Sequence, residues 1–417
     1  MSALDGDAVH AVIAAHVDAH HADQVAFLRE IVRVPSDTPP GDNAPAAAKA
    51  AELLERLGHD VERYPVPEAL LRATGMTSIV NLVVRRRFGT GGPTIALNAH
   101  GDVVPPGEGW TRPPYEGVIE DGRMYARGVA VSKSDIASYT YALEALVAAD
   151  RAGAALNGTV ELHFTYDEEV GGLAGPGFLL ERGITKPDFA IAASFSYAIV
   201  TAHNGCLQLE VVVHGRAAHG AMPTSGADAL RAANAILGAV YAEADRLESV
   251  RSAVAGIDSP TFIVGTVAGG IGTNVVPDRI VLRMDRRMIP EEDPAVVEAR
   301  VRDVVEGAVR GRAGIRVEIR RLLLARALRP LPGHEALVAA LRRHGERVFG
   351  VAIPSVGVPL YSDARLYGEH GVPIVMYGAG PRTILEANAK RSDENLVLED
   401  LRRATRVVAS AVADLLR

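Results

Sequence analysis

NAHGDVVP, Asn98–Pro105, closes the apolar run Pro93–Ala99. Such a run reads as a buried strand, and a His and an Asp two residues apart at its end often open a metal site. FTYDEEVGG, Phe164–Gly172, follows a second stretch that reads as a buried strand and carries three carboxylates in a row. Like charges crowded at a strand end repel one another, so a bland loop seldom holds them there; a solvated acidic turn is the alternative. Glu168 and Glu169 point differently, so one can bind a cation while the other works as a general base.

Outward from these stretches, strands are expected at Ile79–Val84, Thr94–Ala99, Thr159–Thr165 and Phe189–Ala193. Helices are expected over 7–33, stopped by Pro35, over Ala44–Leu57 with Gly58 as C-cap, and at Ile136–Ala149 and Ala174–Arg182. The alternation predicts an α/β layer on a mixed, largely parallel sheet flanked by helices. The pattern then tightens. Leu207–His214, Thr261–Ala268, Arg279–Met288 and Ile315–Leu322 are strand-like, with helices at Ala227–Glu243 and Pro294–Val309. That order, β-α-β-β-α-β, is the ferredoxin-like one. The α/β pattern resumes near Leu331 and ends in a helix at Glu399–Leu416. The expected domains are 1–206 with 325–417, and an inserted α+β unit at 207–324.

At 417 residues the chain is long for one core, and 48% apolar with 23% charged residues fits a globular protein. Lys and Arg number 44 against 51 acids, a net charge of −7, which argues against nucleic-acid and anionic-membrane partners. Arg85–Arg87 reads as a solvated strand edge. No window reaches the roughly 18 uninterrupted apolar residues of a spanning helix. The single cysteine, Cys206, excludes an internal disulfide and reads as packing. With no signal-peptide pattern at the N-terminus, the expected location is cytoplasmic.

Four further stretches are weak one by one. YARGVAVSKSD, Tyr125–Asp135, leads into a helix near Ser134, and reads plainly as a strand–helix turn capped by Ser132 or Ser134. GRAAHGAMP, Gly215–Pro223, places His219 in a small-residue loop. GGIGTNVVPD, Gly269–Asp278, is a Gly-rich turn around Asn274. MDRRMIP, Met284–Pro290, puts two arginines on a strand, otherwise a solvated strand face.

Their order along the chain, with NAHGDVVP, the FTYDEE turn and the terminal GAGP…NAKRSDEN region, resembles the family of dinuclear zinc hydrolases that includes aminoacylase, acetylornithine deacetylase, succinyl-diaminopimelate desuccinylase and glutamate carboxypeptidase. The resemblance covers nearly the whole chain. It implies a catalytic α/β domain, an inserted lid that also dimerises, and a small carboxylated substrate. By resemblance His100 is a zinc-ligand position oriented by Asp102, Glu168 the base and Glu169 a ligand. His219 corresponds to the lid His that stabilises the oxyanion across a homodimer. Asn274 and Arg287 correspond to residues that hold the substrate's amide and carboxylate, and His100, Glu169, His203 and Gly378 complete the expected substrate-binding set.

The match fails where the metals should sit. The position of the bridging aspartate in ARGxxDxKG is Val131, and that of the acidic ligand after the PDxAIxx strand is Ser194, in AASFS. That of the C-terminal His is Lys390, in NAKRSDEN. Two of five ligand positions remain, His100 and Glu169. Zinc takes about four N, O or S ligands; Asp135, one helical turn of about 5.4 Å beyond Val131, is a candidate partial substitute, though too far for the bridge in unchanged geometry. The expectation is therefore no dinuclear zinc and no other cofactor, with a single zinc ion at a reduced site as the alternative. Lys390 pairs with Glu168 or Glu169, or acts as acid, base or electrostatic stabiliser toward a substrate; the alternative is that it merely neutralises orphaned carboxylates. Three functions stay open: an amide hydrolase with a rebuilt mononuclear site, a metal-independent enzyme (hydrolase, lyase, decarboxylase or isomerase) using Glu168 and Lys390, or a non-catalytic carboxylate-binding protein. An enzyme with amide C–N hydrolysis as its nominal reaction is the reading taken.

Overall fold

The computed structural model describes residues 4–417. The chain divides into two compact units. One contains the N-terminal part through Thr201, Pro330–Val356 and Ser362–Arg417; the other contains Ala202–Arg329 and Gly357–Tyr361.

The first unit is built on an eight-stranded mixed sheet. Its order is Val61–Pro65, Val80–Phe88, Gly158–Thr165, Thr94–His100, Phe189–Ala192, Ile374–Met376, Ile199–His203 and Ser355–Val358. The central four strands, Gly158–Thr165 through Ile374–Met376, run parallel. The strands at Val61–Pro65 and Val80–Phe88, and the pairing of Ile199–His203 with Ile374–Met376, are antiparallel. Thr94–His100 is buried at every position after the first, as a parallel strand covered on both faces must be. Ile13, Leu28, Leu54, Leu146 and Val408 belong to the core that the helices share with this sheet.

The helix expected over 7–33 is two, Gly6–Ala19 and His21–Val32, broken at His20 with φ −107° and ψ 13°. The buried positions Val9, Ile13, Val17, Gln24, Leu28 and Ile31 keep helical spacing across the break, so periodicity alone reads one helix. Arg85 is also unlike the solvated edge expected. Its Nε lies 2.8 Å from Glu161 and its Nη2 donates to the Ile184 carbonyl at 2.6 Å, while Arg86 and Arg87 are exposed.

A small three-stranded sheet, Val118–Glu120, Arg123–Tyr125 and Asn395–Val397, adds to the expected elements. It pairs Asn395 with Tyr125 and Leu396 with Met124, so it holds the chain on either side of Ala126–Val131 and Lys390–Glu394 together.

The second unit is a four-stranded antiparallel sheet in the order Thr261–Gly269, Arg279–Met288, Gly205–His214, Arg316–Ala325. Helices Ala229–Leu247 and Pro294–Val309 complete the β-α-β-β-α-β order. Alternate residues of Gly205–His214 point inward, and Leu207, Leu209, Val211 and Val213 pack with Ile236, Val240 and Val301 in one core. Among the described residues no helix is long and apolar enough to cross a membrane.

Candidate active site

The parallel strands deliver the motifs, because each ends on the same edge of the sheet and its following loop carries side chains there. His100 ends one strand opposite Thr165 of the next, and the strands Phe189–Ala192 and Ile374–Met376 lead to Ser194 and Gly378. Asp102, fully buried, ties two of these loops together. Its Oδ1 lies 3.3 Å from His100 Nδ1, and its two oxygens accept from the Glu168 N–H at 3.2 Å and the Glu169 N–H at 3.0 Å. Ser132 does not cap the following helix with its side chain. Its hydroxyl accepts from the His100 N–H and donates to the His100 carbonyl, both at 2.9 Å. Gly101 between the motif residues has no room for a side chain, since a Cβ would lie 2.3 Å from the Tyr166 ring.

Lys390 reaches this cluster. Its Nζ lies 2.6 Å from Glu169 Oε2, and its backbone sits in the left-handed region at φ 62°. Val131 and Ile384 pack against the buried cluster of Ala130, Ala387 and Ala389, the last two in the turn that precedes Lys390. Ser194 is half-buried, and its carbonyl accepts from the Gly380 N–H at 2.9 Å. The three departures thus present an apolar contact, a hydroxyl and an ammonium. Asp135 is engaged elsewhere, with Oδ1 accepting from the Ala379 N–H at 2.7 Å.

Charge in the cluster is balanced from within. Burial opposes a charge on His100, but the bond to Asp102 and the charges of Glu168 and Glu169 outweigh it and raise its pKa to about 10. Burial pushes Glu168 up to about 7, against the pull of His100. Lys390, whose side chain is 49% exposed, is held above its ordinary value: partial burial works against its charge, and Glu169 with Glu168 prevails. Burial also lifts Asp167 and Asp363, each further raised by neighbouring carboxylates. At neutral pH the site therefore holds an imidazolium and an ammonium against carboxyls that are in part protonated.

Gly378 is buried, and a Cβ there would lie 1.8 Å from Asp135 Oδ1. This close approach gives the glycine a packing reason. Gly378→Ala is expected to destabilise the first unit by about 1–3 kcal/mol through overpacking, read as a lowered thermal midpoint; an unchanged midpoint would show that the Asp135 contact gives way freely.

In the second unit, His219 and Asn274 come to one edge. Ala218 and His219 bridge Val276 and Val275, and the Gly220 N–H donates to the Asn274 carbonyl at 2.7 Å. Both side chains are exposed. Arg287 forks onto Asp285, with Nε–Oδ1 at 2.7 Å and Nη2–Oδ2 at 3.2 Å, and lies over the Tyr361 ring at 5.5 Å. Its neighbour Arg286 pairs with Glu292. His203 is fully buried, with Nδ1 at 2.8 Å from the Asn204 carbonyl.

Several residues of the cluster escaped the sequence reading. Arg127 and Glu394, each 1% exposed, form an ion pair at 2.5 Å. Glu394 also accepts from the Ala130 N–H at 3.0 Å and the Lys390 N–H at 3.3 Å. This one carboxylate fixes both the Val131 and the Lys390 turns. VIEDGRMY, Val118–Tyr125, carried the signal, since Asp-Gly between short strand-like runs marks a hairpin, and Asp121 and Gly122 have φ 48° and 73°. Asp363 had no local signal; it faces Gly172 across the fold, where a Cβ would meet its Oδ1 at 2.0 Å.

A model of Peptidase family M20/M25/M40 matches residues 96–414. An acetylornithine deacetylase of Myxococcus xanthus is 30% identical over 380 residues, covering 89% of this chain and 92% of that protein. A succinyl-diaminopimelate desuccinylase of Rhodospirillum centenum is 28% identical over 404 residues, covering 92% and 95%. The crystal structure of an M20 family metallo-carboxypeptidase from Sulfolobus solfataricus superposes with a TM-score of 0.77 at 18% identity, over 94% of this chain and 98% of that one, which shows the same fold. The chain belongs to peptidase family M20/M25/M40 and is an enzyme of the amidohydrolase and peptidase class.

Proposed function

We propose that this enzyme hydrolyses an amide C–N bond in a small amino-acid-like carboxylate, of the N-acyl amino acid kind that its relatives' names describe, and does so without a dinuclear metal centre. The observation that carries the reading is the Lys390 ammonium, 2.6 Å from Glu169 Oε2. A dinuclear centre does not fit these side chains. Val131 offers no donor atom and lies in an apolar contact, and Ser194 is a neutral hydroxyl. Lys390 brings a cation onto one of the two remaining ligand positions. Like charge and missing donors both oppose a second cation there.

In the proposed reaction Glu168, with a pKa near neutrality, removes a proton from water as the water oxygen bonds to the acyl carbon. Lys390 and the His100 imidazolium stabilise the negative charge that forms on the acyl oxygen. Glu168 then returns the proton to the leaving nitrogen as the C–N bond breaks. For the second unit the reading rests on the motifs. His219 is proposed to assist the oxyanion, Asn274 to bind the amide and Arg287 the substrate carboxylate. His203, buried, is proposed only to support that region. A homodimer through the second unit is part of the same reading, supported by the edge strand Thr261–Gly269, whose Ile263 and Val267 are more than half exposed. A cytoplasmic location is likewise proposed.

Turnover on a panel of N-acetyl and N-succinyl amino acids, before and after exhaustive chelation, tests the reading. Activity is expected to survive chelation and to be lost in Glu168→Gln, by about 10²–10⁴-fold. Activity that chelation abolishes and metal restores would refute the metal-free reading; turnover on no member of the panel would refute the substrate class.

A further inference from the structure

Among the described residues, one group of at least three metal-ligating side chains has its donor atoms within 4.8 Å of one another, and none of its members belongs to the site above. It consists of His10 on helix Gly6–Ala19, His344 on helix His334–Phe349 and Asp414 on helix Leu398–Leu415. His10 Nε2 lies 3.0 Å from Asp414 Oδ1, and His344 Nε2 lies 2.8 Å from Oδ2. The two imidazole rings stand 4.4 Å apart. The group borders an open cavity of about 490 Å³.

We infer that His10, His344 and Asp414 bind one divalent transition-metal ion of the zinc class, with water in the remaining position. Two imidazoles and a carboxylate are a ligand set zinc accepts. With zinc–nitrogen and zinc–oxygen bonds of about 2.0–2.2 Å, neighbouring donors on a tetrahedral ion sit about 3.4 Å apart. The two imidazole–carboxylate distances, which run to different oxygens of Asp414, need to open by a few tenths of an ångström, and the other donor separations, within 4.8 Å, need to close toward the same value. His10 and Asp414 are 12% and 17% exposed at the side chain, which leaves a path for the ion and its water. His10 is held below its ordinary pKa by burial and by His344, which favours the neutral imidazole that binds metal.

Two features limit the affinity. His10 Nδ1 is buried without a partner, so once Nε2 carries the ion the ring proton on Nδ1 has no acceptor. Arg343 Nη1 lies 2.8 Å from Asp414 Oδ2 and must swing away. That guanidinium is two-thirds exposed, so its release to water costs little. Arg347 is 3.7 Å from Asp7 across the same cavity and adds further positive charge. Binding should therefore be about micromolar rather than nanomolar. A bound ion would join three helices of the first unit only through these three side chains, so its effect on catalysis should be nil and its effect on stability measurable.

The experiment is equilibrium dialysis of the chelator-stripped full chain against Zn²⁺, repeated with Co²⁺ for its visible absorption. One equivalent is expected, with the intense absorption of four-coordinate cobalt. Excess Zn²⁺ should raise the thermal midpoint by about 2–5 °C. His10→Gln and His344→Gln should each weaken binding at least ten-fold, and Arg343→Ala should tighten it several-fold. Glu169→Gln should bind as the wild type does, and His10→Gln should keep full turnover. Should His344→Gln fail to fold, His10→Gln and Arg343→Ala decide alone. Uptake unchanged in His10→Gln, no uptake at all, or uptake lost in Glu169→Gln would each overturn the site. Because turnover is read separately, failure here leaves the metal-free reaction standing, and the reverse holds too.

Discussion

Replacing Lys390 by methionine is expected to lower kcat by about 10²–10³-fold, the loss typical when one group that stabilises a developing oxyanion is removed. Methionine keeps the apolar stem and falls one atom short of lysine, so the turn Ala387–Glu394, held by Glu394, should stay in place. What disappears is the ammonium 2.6 Å from Glu169. Glu168 and Glu169 then face each other with His100 as the cation left beside them, and Glu168 should rise further above its already raised pKa. The basic form would then be reached only at higher pH, so the rising limb of the kcat/KM profile should move upward. Arginine in the same place keeps the charge but not the compact point contact, so Lys390→Arg should recover part of the activity at most. A lysine that only neutralised the carboxylates would give a different pattern. Lys390→Met would then lower the thermal midpoint, leave kcat within about twofold, and be cured by adding Glu169→Gln. That pattern would remove Lys390 from the mechanism.

The sheet strands and the inserted unit were legible because their information is local. Thr94–Ala99 is a mostly apolar run, Gly158–Thr165 sets Val160, Leu162 and Phe164 at every second position, and Gly205–His214 alternates as a strand covered on one face must. The motif residues His100, Asp102, Glu168 and Glu169 were legible for the same reason, since strand ends carry them. Lys390 was legible only as a departure from a resemblance; nothing in NAKRSDEN by itself says that a lysine with a left-handed backbone meets a glutamate 221 positions away. The break at His20 was hidden because both helices share one apolar stripe. Arg127, Glu394 and Asp363 were missed because their meaning lies in what tertiary packing sets opposite them. Asp135 shows the same limit from the other side. Its place one turn after Val131 invited a ligand role, whereas the structure turns it toward Ala379 and leaves Gly378 no room for a side chain.

Glu394→Ala is expected to destabilise the first unit by about 3–5 kcal/mol, the cost of stranding one partner of a buried ion pair. The reason is not that the pair itself stabilises strongly. Burial lifts the Glu394 pKa although Arg127 pulls it down, and for a buried pair the cost of desolvation generally offsets much of the attraction. Removing one partner differs from removing both. Without Glu394 the Arg127 guanidinium, 1% exposed, keeps the Pro106 carbonyl at 3.0 Å and the Trp110 ring at 5.2 Å, but loses the carboxylate that balances its charge. The N–H groups of Ala130 and Lys390 lose their acceptor as well. Arg127→Met combined with Glu394→Gln should therefore be more stable than Glu394→Ala alone, because no charge is left buried. Denaturant midpoints of the single and double variants measure the difference. Turnover should fall with Glu394→Ala even at temperatures where the fold holds, since the Val131 and Lys390 turns hang on the same carboxylate. A double variant as unstable as Glu394→Ala would mean that the buried charge is not what makes the loss expensive.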